Sequence, residues 1–464
     1  MEERDPSHNG NPEQFEPPDL ERPASLAPTE RQLEDEAPGG REARGHDPYA
    51  ALRYPSYVMY AGGWMVSVIG RQVQDVAVGY ELYSRTGSKL ALGWVGLSQA
   101  LPLLLLALPA GQLADRFDRR WLMIISQLFW AASSLGLAIV SHMQGPIPLV
   151  YFLLVTGTIA HATGWPARAA MLPQVVPLEI FNNAVTWNSS FFQIASVVGP
   201  AIAGLILLWG APAAYMIDVA CGITFAVLLT QLRLRPAGRS KEPASFKTLT
   251  EGVRWVWRTP IILATISLDL FAVLLGGAVI LMPVFAKDIL HVGKVGLGVL
   301  RTAPAVGAFL GAMLIAHMPP MKRAGMAMLW AVAGFGVATI VFGLSKSFWL
   351  SFAMLALTGA FDNVSVVVRH TLIQSLPPET MRGRVAAVNI IFIGASNELG
   401  AFESGTTAEW WGPKMAVVIG GIGTLLVVSV IAMLAPQVRR LGSLRDVRPI
   451  EEPSASPAPV AATA

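Results

Sequence analysis

The decapeptide GQLADRFDRR, Gly111 to Arg120, holds five charged side chains and separates two apolar stretches, 90–114 and 121–141. A bilayer core about 30 Å thick takes about 20 apolar residues per helical crossing, so each flanking stretch is long enough for one span. The decapeptide then marks the side on which both emerge. Working outward, the same alternation gives spans at 57–82, 147–172, 184–208 and 212–233, then at 259–285, 296–316, 324–344, 347–370, 385–408 and 412–436. The fold class expected is all-α: a polytopic membrane protein with twelve transmembrane helices.

Composition agrees. The 464 residues are 53% hydrophobic and 14% charged, with a mean hydropathy of +0.50, too apolar for a surface covered by water. The net charge of +3 conceals an asymmetry, because residues 1–53 carry 13 acidic side chains against 6 arginines and leave the helical body basic. Nucleic acid is not implied, since the Lys and Arg residues gather in short loops where the positive-inside bias accounts for them. Cys221 is the only cysteine, so there is no disulfide framework and no cysteine metal site. Neither a metal nor a cofactor is expected.

A polar segment, 234–258, divides the spans six and six, as duplication of a six-helix unit would. The expected organisation is a disordered cytoplasmic tail at 1–53, a bundle at 54–233, a linker at 234–258, a second bundle at 259–438 and a second tail at 439–464. The first tail lacks the apolar core of a signal peptide and is too polar to fold alone. Within the linker, Phe246, Leu249, Val253, Val256 and Trp257 share one helical face, while Lys247, Arg254 and Arg258 can reach headgroups, which predicts a helix lying in the interface. Even-numbered connections carry Arg116, Arg119, Arg120, Arg233, Arg235, Arg239, Lys322, Arg323, Arg382 and Arg384, and odd-numbered ones few basic residues. Both termini are therefore expected on the cytoplasmic side of an inner (plasma) membrane. Trp121, Trp209, Trp255, Trp349, Trp410 and Trp411 fall near span edges, as belt anchors do.

Charges at membrane depth face a cavity or a partner. In the first span Trp64, Ser67, Arg71, Gln74 and Asp75 form a polar stripe, which reads either as cavity lining or as a structural Arg71–Asp75 ion pair. Glu398 and Glu403 lie roughly 140° apart around a helix, so only one can face a cavity. Ser396, Gly400, Glu403 and Thr407 make the more coherent stripe, which favours Glu403. Asp362 and Arg369, roughly 10 Å apart along their helix, should not pair. Asp218 and Asp269 stand singly and suit a proton carrier or a helix-packing hydrogen bond equally well. Asp115 can accept bonds from a helix N-terminus or from Arg119 in one conformation and lose them in another.

These residues resemble the major facilitator superfamily and, within it, a bacterial exporter branch of enterobactin-exporter-like proteins. Gly111, Leu113, Asp115, Arg116, Arg119 and Arg120 match the superfamily's loop between helices two and three, with Asp118 where a second glycine is usual. Residues 369–385, RHTLIQSLPPETMRGRV, resemble the branch's loop between helices ten and eleven. Val198–Gly204, VGPAIAG, with Gly199, Pro200 and Gly204, resembles the helix-five antiporter motif, with Ala195 and Ala203 at positions where it prefers glycine. The helix-four arginine of drug antiporters has no counterpart placed, Arg168 being near that span's end.

The resemblance implies alternating access by two helical halves, small-molecule export and proton coupling through candidates Asp75, Arg71, Glu403, Asp269 and Asp362. A monomer in the lipid bilayer is expected, and a siderophore-like or amphipathic organic substrate. An importer or uniporter is the alternative. Sequence speaks against other classes: there is no G-x-x-x-x-G-K-[ST] loop, no H-E-x-x-H or G-x-S-x-G motif, and no filter-like loop. His161, His317 and His370 sit on different spans without ligand spacing.

Overall fold

The computed structural model describes residues 47–234, 246–319 and 321–449, apart from the side chains of residues 108, 115, 246–249 and 446. The compact unit begins at Pro48. Its helices, in order, are α1 (Pro55–Thr86), α2 (Lys89–Arg116), α3 (Arg119–His142), α4 (Ile147–Val175), α5 (Phe181–Ile206), α6 (Ala211–Gln231), α7 (Phe246–Arg258), α8 (Pro260–Gly276), α9 (Gly293–His317), α10 (Ala324–Leu344), α11 (Phe348–Ser375), α12 (Glu379–Trp411), α13 (Pro413–Leu434) and α14 (Pro436–Arg440). In lipid every backbone N–H and C=O must be satisfied within the protein, and a helix does this inside one segment. Among the described residues, eleven helical spans are long and apolar enough to cross by length and composition. The twelfth, α1, has the length but carries Arg71, Asp75, Glu81 and Arg85. Leu105, Phe129, Leu205 and Leu426 are among many large apolar side chains exposed on the outside, a surface that only lipid matches.

Packing reveals the internal repeat. In the first half α1 packs on α5 and α6, α3 on α4 and α6, and α2 on α4. The second half repeats each pairing: α8 on α12 and α13, α10 on α11 and α13, and α9 on α11. The halves meet through α2 with α12 and α5 with α9, contacts that exchange when the halves are swapped. A two-fold relation is thus plain in the packing although the two sequences have drifted apart.

Three local features set the ends. Asp118 caps α3, its carboxylate accepting from Arg120 N at 2.8 Å and Trp121 N at 3.3 Å. With φ −60° and ψ 120°, Asp118 needs none of glycine's freedom, so the substituted position in the loop motif works as a cap. After Gly276 the α8 span breaks, continuing through Gly277, a 3₁₀ turn at Ala278–Leu281 and a π turn at Phe285–Ile289. The expected tails are shorter than drawn. Ala50–Arg53 form a 3₁₀ turn whose Ala51 N donates to Asn183 Oδ1 at 2.9 Å, and Leu441 and Leu444 pack on the second half, because each presents apolar side chains to a core. Residues 1–46 and 450–464, and the linker stretch 235–245, lie outside the described residues.

The linker's α7 packs along α12 rather than lying free, with Val253, Trp255 and Val256 toward the bundle and Trp257 facing out. The single apolar face expected is therefore split, Trp257 facing away from buried Val256; Glu251 pairs with Arg384 across the contact. The side chains of Phe246, Lys247 and Leu249 lie outside those described. Trp121, Trp209, Trp349, Trp410 and Trp411 are exposed at helix ends, whereas Trp255 is partly packed.

Central cavity and its charged walls

Between the halves lies a cavity of ≈ 1510 Å³ walled by both. It reaches Gly111, Glu379 and Arg384 at the end that bears the Gly111–Arg120 turn, here the near end. At the far end the halves close on one another. A Cβ built on Gly405 would come 2.5 Å from Gly93 Cα, and one on Gly298 2.7 Å from Gly204 Cα, so backbone rests on backbone there. The Tyr83 hydroxyl donates to Asp288, and Glu409 Oε2 accepts from Lys89 N at 2.8 Å, Leu90 N at 3.2 Å and Ser88 Oγ at 3.3 Å, all across the halves.

The α1 stripe divides. Trp64, Ser67, Arg71 and Asp75 line the cavity, while Gln74 turns away, buried, and its Oε1 accepts from Ser134 Oγ at 2.5 Å. Arg71 donates to His161 Nε2 and lies over Trp130 at 5.2 Å instead of pairing with Asp75. The ion pair on this helix is Glu81–Arg85 at 3.0 Å, one turn apart. Asp75 shares the cavity with Arg301 of α9 and Glu398 of α12, and Arg301 is close enough to feel both carboxylates.

On α12 the preferred carboxylate is corrected: Glu398 lines the cavity and Glu403 does not. Glu403 accepts from Thr407 Oγ1 at 2.7 Å, and Gly400 of the same stripe meets Leu274 of α8 closely. Small residues form that stripe because it is a helix contact. Asp269 is buried in an ion pair with Arg369 off the cavity, whereas Asp362 lines it. Asp218 is buried and accepts from Trp130 Nε1 at 2.8 Å and Ser134 Oγ at 2.6 Å.

In the motif loop, Gly111 lines the cavity and Arg116 is exposed. Arg119 donates to Ala170 O at 3.1 Å and Arg120 to Leu232 O at 3.3 Å, tying the turn to α4 and to the end of α6. The Asp115 side chain lies outside those described. In the helix-five motif Gly199 sits against Gln72 of α1 and Gly204 against Gly298 of α9, so the motif's glycines serve one contact within the first half and one between halves, with Pro200 at the cavity.

His161, Arg168 and Arg301 line the cavity, a placement that the sequence did not assign to them. His161, Trp165 and Arg168 recur at steps of four and three on α4, a shared helical face that periodicity alone could have found.

Residues 47–458 match the family described as Transmembrane secretion effector. The chain belongs to that family, within the major facilitator superfamily. It is a multi-pass membrane transporter and not an enzyme. It is 24% identical over 378 residues to the enterobactin exporter EntS of Citrobacter koseri, covering 81% of this chain and 90% of that one. To EntS of Escherichia coli O1:K1 / APEC it is 25% identical over 382 residues, with the same coverage. Among solved structures, a bacterial homologue of the human lysosomal transporter Spinster, inward-facing and unoccupied, superposes with a TM-score of 0.69 at 16% identity, covering 85% of this chain and 98% of that chain.

Proposed function

We propose that the transporter is a proton-coupled exporter of a small organic molecule in the plasma membrane, working by alternating access with both termini in the cytoplasm. One observation supports this best. Asp75 from one half and Arg301 and Glu398 from the other line the same cavity, so parting the halves separates the Asp75 carboxylate from the Arg301 guanidinium. A carboxylate that loses a neighbouring cation changes its proton affinity, which ties proton traffic to the same movement that exposes the substrate. The near-end opening then faces the cytoplasm, where an exporter loads. Likeness to the enterobactin exporters favours export and an amphipathic or siderophore-like cargo over import.

Reconstitution in proteoliposomes under an imposed pH gradient, across a panel of siderophores, drugs and sugars, tests it. Gradient-driven accumulation that collapses with a protonophore is expected. Equilibration indifferent to the protonophore would establish the uniporter instead.

A further inference from the structure

Along the cavity wall supplied by the first half, aromatic rings alternate with cations. Phe192 stacks on Trp64 with centroids 6.1 Å apart. The Arg168 guanidinium lies over Trp64 at 4.3 Å and over Trp165 at 4.7 Å. Trp165 meets the His161 ring at 5.8 Å, and His161 accepts from Arg71. All of these side chains face the cavity.

Two details separate this ladder from ordinary packing. Among the described residues no ion pair involves Arg168 or Arg71, and Arg168 Nε is buried without a hydrogen-bond partner. A desolvated cation without a counter-charge is unfavourable, whereas one that meets an anion and keeps its hydrogen bonds is stabilised. Two indole rings flank the Arg168 guanidinium at 4.3 and 4.7 Å, and its N–H groups suit a planar oxyanion. The rings beside it offer stacking area to a flat apolar body. Asp75, the coupling candidate, lies one turn beyond Arg71 on the face shared with Arg301, off the ladder itself.

We propose that this ladder is a recognition wall for an aromatic carboxylate, its carboxylate on the Arg168 edge and its ring along Trp165 and His161. The assignment rests on the transporter reading above and names the chemistry of the cargo. A neutral amide of the same shape loses the charge-assisted bonds, and a cation of that shape meets repulsion.

The test uses the purified full chain in detergent, with no gradient, titrated by calorimetry and tryptophan fluorescence with 2-naphthoate, 2-naphthamide and 2-naphthylmethylammonium. The acid is expected to bind about tenfold or more tighter than the amide, and the cation weaker still. Arg168→Gln should erase the preference for acid over amide; Arg168→Lys, which keeps charge without the flat fork, should retain part of it. Arg445→Gln, at an exposed position outside the cavity, should bind as wild type. Equal affinity for acid and amide, no binding of the acid, or an unchanged preference in a monodisperse Arg168→Gln would overturn the proposal. The ligand series on the wild type decides even where a variant does not fold. Loss of proton-driven transport alone would leave this binding result standing, and intact transport without acid preference would sink the ladder alone.

Discussion

The Glu409 carboxylate on α12 accepts the backbone N–H of Lys89 at 2.8 Å and so caps the first turn of α2, a helix of the opposite half. A carboxylate at a helix N-terminus satisfies orphan donors and complements the helix dipole. Because the bonds exist only while the far end is closed, they stabilise one conformation over the other.

Glu409→Ala should therefore shift the population toward the far-end-open form by about tenfold, in line with roughly 1–2 kcal/mol for charged hydrogen bonds at a helix terminus. Spin-label distances between the far ends of α2 and α12 would read this. An unchanged distance distribution would show that the other far-end contacts hold the closure without Glu409.

Gly405→Ala should act in the same direction and more strongly. Its new methyl would come 2.5 Å from Gly93 Cα, where neither backbone can yield without parting the halves. Each half should still fold, giving a monodisperse protein that binds cargo yet does not transport. Normal transport rates in this variant would refute the tight contact.

For coupling, Asp75→Asn should lose proton-driven accumulation and keep substrate binding. Glu398→Gln should impair coupling clearly, and Glu403→Gln only slightly, since Glu403 bonds Thr407 off the cavity. Proton release on substrate binding, followed by stopped-flow with a pH dye, separates the three. Undiminished release from Asp75→Asn would move the carrier's role to Glu398 or Asp362.

Asp118→Ala should destabilise the start of α3 by about 1 kcal/mol, and Asp118→Gly by only a few tenths. Equilibrium unfolding in mixed detergent micelles would measure both. Equal losses would mean that the carboxylate acts by charge rather than as a cap.

Orientation is testable in intact cells. Single cysteines at Arg119 and Arg440, introduced over Cys221→Ser, should resist an impermeant maleimide added outside and react after permeabilisation. Outside labelling of either would reverse the assignment of the near end to the cytoplasm.

How far the sequence reached depended on what periodicity can carry. The decapeptide at Gly111 and its apolar flanks were enough to lay out the spans, because lipid leaves the backbone so few options. A helical stripe, however, says which residues share a face and not what that face meets. Ser396, Gly400, Glu403 and Thr407 do share one, but it meets α8, and cavity contact falls to Glu398. Asp269 found Arg369 from another helix, and Gln74 found Ser134, pairings fixed by tertiary packing. The docking of Ala51 and Leu441 escaped for the same reason: each rests on a surface built from distant sequence.

The glycine contacts at the far end have a bearing on leakage. Where Gly93 faces Gly405 and Gly204 faces Gly298, backbone meets backbone, so a rotamer flip cannot by itself part these two contacts. Packed joints of this kind switch between discrete arrangements rather than deforming by degrees. At these two contacts, opening requires the helices themselves to part, not a side chain to turn.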